Sequence, residues 1–158
     1  MSERAYDKVW WRGVRLTARH RNALRWAEAK LQKKFPGVSI IPTQGSWSSG
    51  SLSAGTHGGA GAVDLRTWHL MTEQRVYLVR CLKDSGQAAW YRTEAQGFDP
   101  HVHSLDIGGQ IGMDTLAKVQ IKAFDAKRDG LSGNKADNTY RPTPRVKFSF
   151  VKNAPVPR

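Results

Sequence analysis

At 158 residues the chain is long enough for one domain with its own hydrophobic core, and it holds no run of eighteen apolar residues that could span a membrane. Its start lacks the apolar stretch of a secretory signal, so synthesis in the cytosol is the expectation, and a lone cysteine, Cys81, excludes an internal disulfide. The net charge of +12 sits at the two ends: residues 1–36 and 118–158 each carry ten Lys/Arg against three Asp/Glu, while residues 37–117 are net −2. Such ends draw a chain towards polyanions without choosing among them.

Residues Val9 to Leu16 read as a short extended or turn segment. Thr17 is placed to cap a helix running to about Phe35, where Pro36-Gly37 stops it. In that helix His20, Leu24, Ala27, Leu31 and Phe35 form one buried stripe, which makes His20 a core histidine. Arg19, Arg21, Arg25, Lys30, Lys33 and Lys34 take the solvated faces. Trp10, Trp11 and Trp26 are expected to pack in the core or at its edge. Val38 to Ile41 alternates as a strand and enters a Gly/Ser-rich stretch, Gly45 to Gly61, read as a loop at the rim of a site. A strand follows with Ala62, Asp64 and Arg66 on one face and Val63 and Leu65 on the other, ending near Trp68. Thr72 is placed to cap a helix through Val76, Val79 and Leu82, closed by Ser85-Gly86. Cys81 within it reads as a buried structural thiol.

Ala88 to Tyr91 and His101 to Ile107 are further strands. Asp114 caps a third helix with Leu116, Val119, Ala123 and Phe124 facing inward and an end at Asp129-Gly130. Val146, Phe148 and Phe150 alternate as an edge strand, and residues 153–158 are expected to fray. The pattern predicts an α+β fold over residues 1–158: one domain, a small antiparallel sheet and about three helices, with a core over about 10–140 and a basic extension over about 131–158.

Chemistry concentrates in two places. His57 and Asp64 stand seven residues apart in Gly55-Thr56-His57-Gly58-Gly59-Ala60-Gly61-Ala62-Val63-Asp64, where glycines allow the chain to fold back on itself. His101 and His103 lie two apart on a strand and so share a face. Two imidazoles and one carboxylate with a fourth position open are the ligand pattern of a catalytic zinc. A surface hydrogen bond between His57 and Asp64 is the plain alternative.

These residues resemble a known family. His57-x6-Asp64 with a later His103 is similar to the zinc peptidases of bacterial cell walls: D-alanyl-D-alanine carboxypeptidases and phage L-alanyl-D-glutamate endolysin peptidases, whose metal site is shared with the hedgehog signalling domain. Thr43-Gln44-Gly45-Ser46-Trp47, Ala89-Trp90-Tyr91-Arg92-Thr93 and Gly97-Phe98-Asp99-Pro100-His101-Val102-His103 resemble a branch found in actinobacteria and their phages. The resemblance covers roughly residues 10 to 140. It implies a hedgehog/D-Ala-D-Ala-peptidase-like fold and one Zn2+ held by His57, Asp64 and His103. It implies a hydrolase of peptidoglycan stem peptides, endopeptidase or carboxypeptidase, as in an endolysin or virion-associated lysin that is made in the host cytoplasm and acts at the cell wall.

The family places a carboxylate three residues before the last histidine and a serine two before the first ligand; Pro100 and Gly55 stand there. His101 is therefore the expected acid/base, with Asp99 and Glu94 as alternatives. Gln44, Ser46 and Ser53 are candidate substrate contacts. Asp106 and His69 read as ordinary surface or outlying groups. Peptidoglycan and anionic wall polymers are the expected partners, and a monomer the expected state. Two other classes stay open: a zinc-containing recognition module, and a basic nucleic-acid binder, for which no signature exists beyond charge and six tryptophans.

Overall fold

The computed structural model describes residues 2–48 and 55–158. Arg12 and Gly13 both take positive φ, 51° and 87°, as a two-residue hairpin loop requires, and join β1 (Lys8–Trp11) to β2 (Val14–Thr17). Trp11 is buried, but Trp10 is 71% exposed beneath the Arg15 guanidinium rather than packed at the core. Alternation on a two-stranded hairpin puts only one of the two adjacent tryptophans inside.

Thr17 ends β2 and caps α1 (Ala18–Lys34), its Oγ1 accepting from the His20 N–H at 3.2 Å. His20, Leu24, Ala27 and Leu31 are fully buried, as their spacing predicts. Arg19 departs from expectation. It is buried, and its guanidinium donates to Asp106 (Nε–Oδ2 2.7 Å) and to the Phe148 carbonyl (2.6 Å). Asp106, expected near the surface, is fully buried in the same pair. The long arginine stem carries the charge past the edge of the helical stripe, and a buried acid at a strand end needs such a partner.

The central sheet is antiparallel throughout, with the order β3 (Pro42–Gln44), β4 (Ala62–Arg66), β6 (His101–Asp106), β5 (Gln87–Arg92). The strand expected at 38–41 does not form. The Ile40 N–H donates to the Glu28 carboxylate (2.8 Å) and its carbonyl accepts from Arg12 (2.7 Å), so side chains take the backbone groups a ladder would use.

One face of the sheet, with Val63, Leu65, Ala89 and Val102, forms the larger core with α1 and α2 (Thr72–Asp84). Cys81 is buried there, and burial pushes its thiol up to about 11. Met71, one residue before the predicted Thr72, is the cap of α2. On the other face Ala62, Ala88, Trp90 and Leu105 meet α3 (Thr115–Asp125).

The inward side of α3 is Ala117, Ile121 and Phe124; the expected Leu116 and Val119 are 54% and 53% exposed. The helix carries two apolar stripes, and contact with Trp90 and Leu105 selects the second. It also ends before the predicted Asp129-Gly130. Lys127 adopts φ 59° where glycine is usual, its N–H bonds Phe124 O (3.0 Å), and the Arg128 N–H bonds Ala123 O (2.8 Å), a Schellman closure.

The last residues are not frayed. β7 (Val146–Ser149) pairs with β8 (Ala154–Pro157), Phe148 is buried, Phe150 falls in the turn, and Arg158 binds Asp125. Prolines are tolerated in such an edge strand because the missing N–H faces outward. Three helices around small antiparallel sheets make this an α+β domain. Among the described residues no helix is long and apolar enough to cross a membrane.

Candidate metal centre

The register of the sheet sets the site. Asp64 on β4 lies directly opposite His103 on β6, which lies opposite Trp90 on β5, while Gln44 on β3 flanks Asp64 from the other side. Directly opposed residues share a face, so one row crosses the sheet as Gln44, Asp64, His103, Trp90. His101 sits two residues earlier on the same face of β6. Nδ1 of His103 is 2.8 Å from Oδ1 of Asp64, and Nε2 of His101 is 3.7 Å from Oδ2.

His57 reaches the row from the loop before β4. Its carbonyl accepts the Ser48 N–H (2.8 Å), and its Nε2 lies 3.2 Å from the same Asp64 Oδ1. The glycines beside it act through close packing. A Cβ on Gly59 would stand 2.3 Å from the Gly112 carbonyl oxygen, and one on Gly58 would stand 2.7 Å from Asp114 Oδ2. The loop is thus pressed against the approach to α3.

Hydrogen-bond chemistry then fixes the protons. The Gly45 carbonyl can only accept, so Nδ1 of His57 donates to it (3.0 Å). Gln120 on α3 donates its amide to Gly130 O (3.4 Å), leaving its Oε1 to accept from Nε2 of His103 (2.9 Å). His101 likewise donates Nδ1–H to the Asp99 carbonyl (2.7 Å). Each neutral ring therefore turns a lone pair towards the Asp64 carboxylate. Electron-rich atoms at such distances repel unless a cation stands among them.

Without a metal that cation is a proton. Burial favours the neutral acid at Asp64, but the hydrogen bonds and charges of His103 and His57 outweigh it and hold the carboxyl well below the usual range. Burial also pulls His57 down, yet its bond to Asp64 prevails and raises it, whereas burial prevails at His103 and lowers it.

His57, Asp64 and His103 offer ligand atoms all within 4.8 Å of one another, and the two rings are nearly fully buried. This buried cluster can hold a metal ion. Each histidine donor is oriented by a hydrogen bond on its other nitrogen, the usual support of a metal-binding imidazole.

The remaining expected residues lie as follows. His101 is at the edge of the cluster, its side chain 19% exposed. Asp99 and Glu94 are exposed, and neither carboxylate bonds to the cluster. Gln44 flanks Asp64 and donates to Ser48 Oγ (3.2 Å). Ser46 is buried and its hydroxyl is used by β4, donating to Ala62 O (3.1 Å) and accepting from Ala62 N–H (3.3 Å). Ser53 falls outside the described residues. His69 donates to Ser39 O (3.0 Å) away from the cluster. Gln120 was not expected; only the inward side of α3 could have pointed to it.

No family model matches this chain, and no match exists among curated proteins or solved structures.

Proposed function

We propose that the chain is a zinc peptidase acting on the stem peptides of bacterial peptidoglycan. The observation that carries this reading is the convergence of imidazole lone pairs on one half-buried carboxylate, in the order and spacing of the cell-wall peptidase motif. A nitrogen, nitrogen, oxygen donor set suits zinc. When bound, zinc supplies Lewis acidity and acidifies water at neutral pH.

The chain's own residues supply the rest. Asp64 joins the two rings through one oxygen, Gly45 and Gln120 hold those rings in orientation, and Trp90 stacks on His103 with ring centroids 6.2 Å apart. His101 is the group placed to move protons. Its Nδ1–H is tied to Asp99, so Nε2 is the atom that accepts a proton from water and returns it to the leaving amine.

Digestion of purified peptidoglycan, followed by labelling of new amino termini, tests this reading. Release by wild type that is lost with a chelator and in His57→Ala supports it; no release by zinc-loaded protein refutes it. One observation favours a second reading, a zinc-containing recognition module: among the described residues Asp64 is the one carboxylate of the cluster, and no second carboxylate joins it to serve as a base. In that case the zinc-loaded protein binds the wall and releases nothing.

A further inference from the structure

A second feature adjoins the cluster along the outer edge of β5. The Arg92 guanidinium lies over the Trp90 ring (4.8 Å), on the residue that also stacks on His103. Arg92 is 2% exposed but has no carboxylate partner among the described residues: Nη1 donates to Asp129 O (2.6 Å), and Nη2 bonds to none of them. A guanidinium cannot escape this cost by neutralising, so a buried N–H without an acceptor calls for one from outside.

Arg92 lines a groove of about 560 Å³ between α2 and residues 129–140. On its α2 side Arg75 and Arg80 lie over Tyr91 (3.9 Å) and Tyr140 (4.2 Å). Among the described residues neither forms a salt bridge, so neither guanidinium is committed to a carboxylate. Lys83, also buried, donates among the described residues to neutral oxygens, Thr139 Oγ1 and Tyr140 O, both at 2.8 Å. The two lining carboxylates are occupied: Asp137 pairs with Arg141, and Asp129 accepts the Leu131 N–H. Val76, Val79 and Ala89 make the intervening wall apolar.

Unpaired cations around a small apolar wall select a ligand with a slight apolar body and more than one anionic group. We propose that this groove binds a short peptide bearing more than one free carboxylate, anchored by Arg92, Arg75 and Arg80. That the peptide is a cell-wall stem rests on the function proposed above; the anion groove itself does not.

The test is calorimetry on the full chain as purified, with L-Ala-γ-D-Glu-L-Lys-D-Ala-D-Ala N-methylated at its amides to block cleavage. The Arg75→Gln/Arg80→Gln double variant, altered on the accessible side of α2, is expected to weaken binding by about ten- to a hundredfold with an unchanged melting curve. Arg92→Lys and a peptide with amidated carboxyls are expected to bind as weakly. Equal binding by the double variant, or by the amidated peptide, overturns the proposal. So does tighter binding of oligothymidylate than of the peptide through the same arginines. Zinc content read on the same samples separates this outcome from that of the metal centre: peptide binding without zinc strikes only the peptidase reading, and zinc without peptide binding strikes only the groove.

Discussion

Replacing Gln120 by leucine probes how the cluster is held. Gln120 gives the buried His103 its acceptor at Nε2 among the described residues, at 2.9 Å, and so keeps the lone pair of Nδ1 turned on Asp64 at 2.8 Å. Two alternatives follow from the substitution. An unsatisfied buried N–H costs about 1–3 kcal/mol. The ring escapes that cost by moving its proton to Nδ1 and donating to Asp64, which stabilises the metal-free state and blocks the donor atom. Either route lowers metal affinity, by about ten- to a hundredfold on the scale of lost outer hydrogen-bond partners. Zinc titration against a chromophoric chelator measures it. Gln120→Glu provides the control, since a carboxylate accepts the same proton more strongly and should match or exceed wild type. Unchanged affinity in a folded Gln120→Leu protein would refute the assignment of protons.

Further outcomes follow from buried groups outside the cluster. Asp106→Ala leaves Arg19 charged and buried, and should cost about 3–5 kcal/mol, read as a lowered melting temperature. Burial lowers Lys83 to about 8 from its ordinary 10.5. Between those values the unfolded chain holds more protons than the folded one, so stability rises with pH. Relative to Lys83→Met, the wild type should gain up to about 3 kcal/mol between pH 7 and 10.5 in urea titrations; a flat difference would contradict it. Cys81, buried and pushed up to about 11, should resist iodoacetamide until the protein is unfolded.

Local signals carried much of the architecture. Period and punctuation placed α1, α2, β4 and β6 within a residue or two, because Thr17, Pro36-Gly37 and Ser85-Gly86 act on their own neighbours. The His57, Asp64 and His103 cluster was partly legible: strand alternation puts Asp64 and His103 on fixed faces, whereas the place of His57 and the choice of His103 over His101 rested on the resemblance. What escaped the sequence depends on distant partners. Which stripe of α3 turns inward is decided by Trp90 and Leu105, and with it the approach of Gln120 to His103. Arg19 is drawn inside by Asp106, 87 residues away. The β7–β8 hairpin closes on a turn at Asn153, φ 50°, within a segment whose prolines suggest fraying.

The account rests on three side chains sharing one ion. Native mass spectrometry of the purified chain, offered zinc and then dialysed, measures this directly. One zinc per chain is expected in the wild type, and none in folded His57→Ala and His103→Ala variants. A folded wild type that remains metal-free, or variants that keep the ion, would contradict the account.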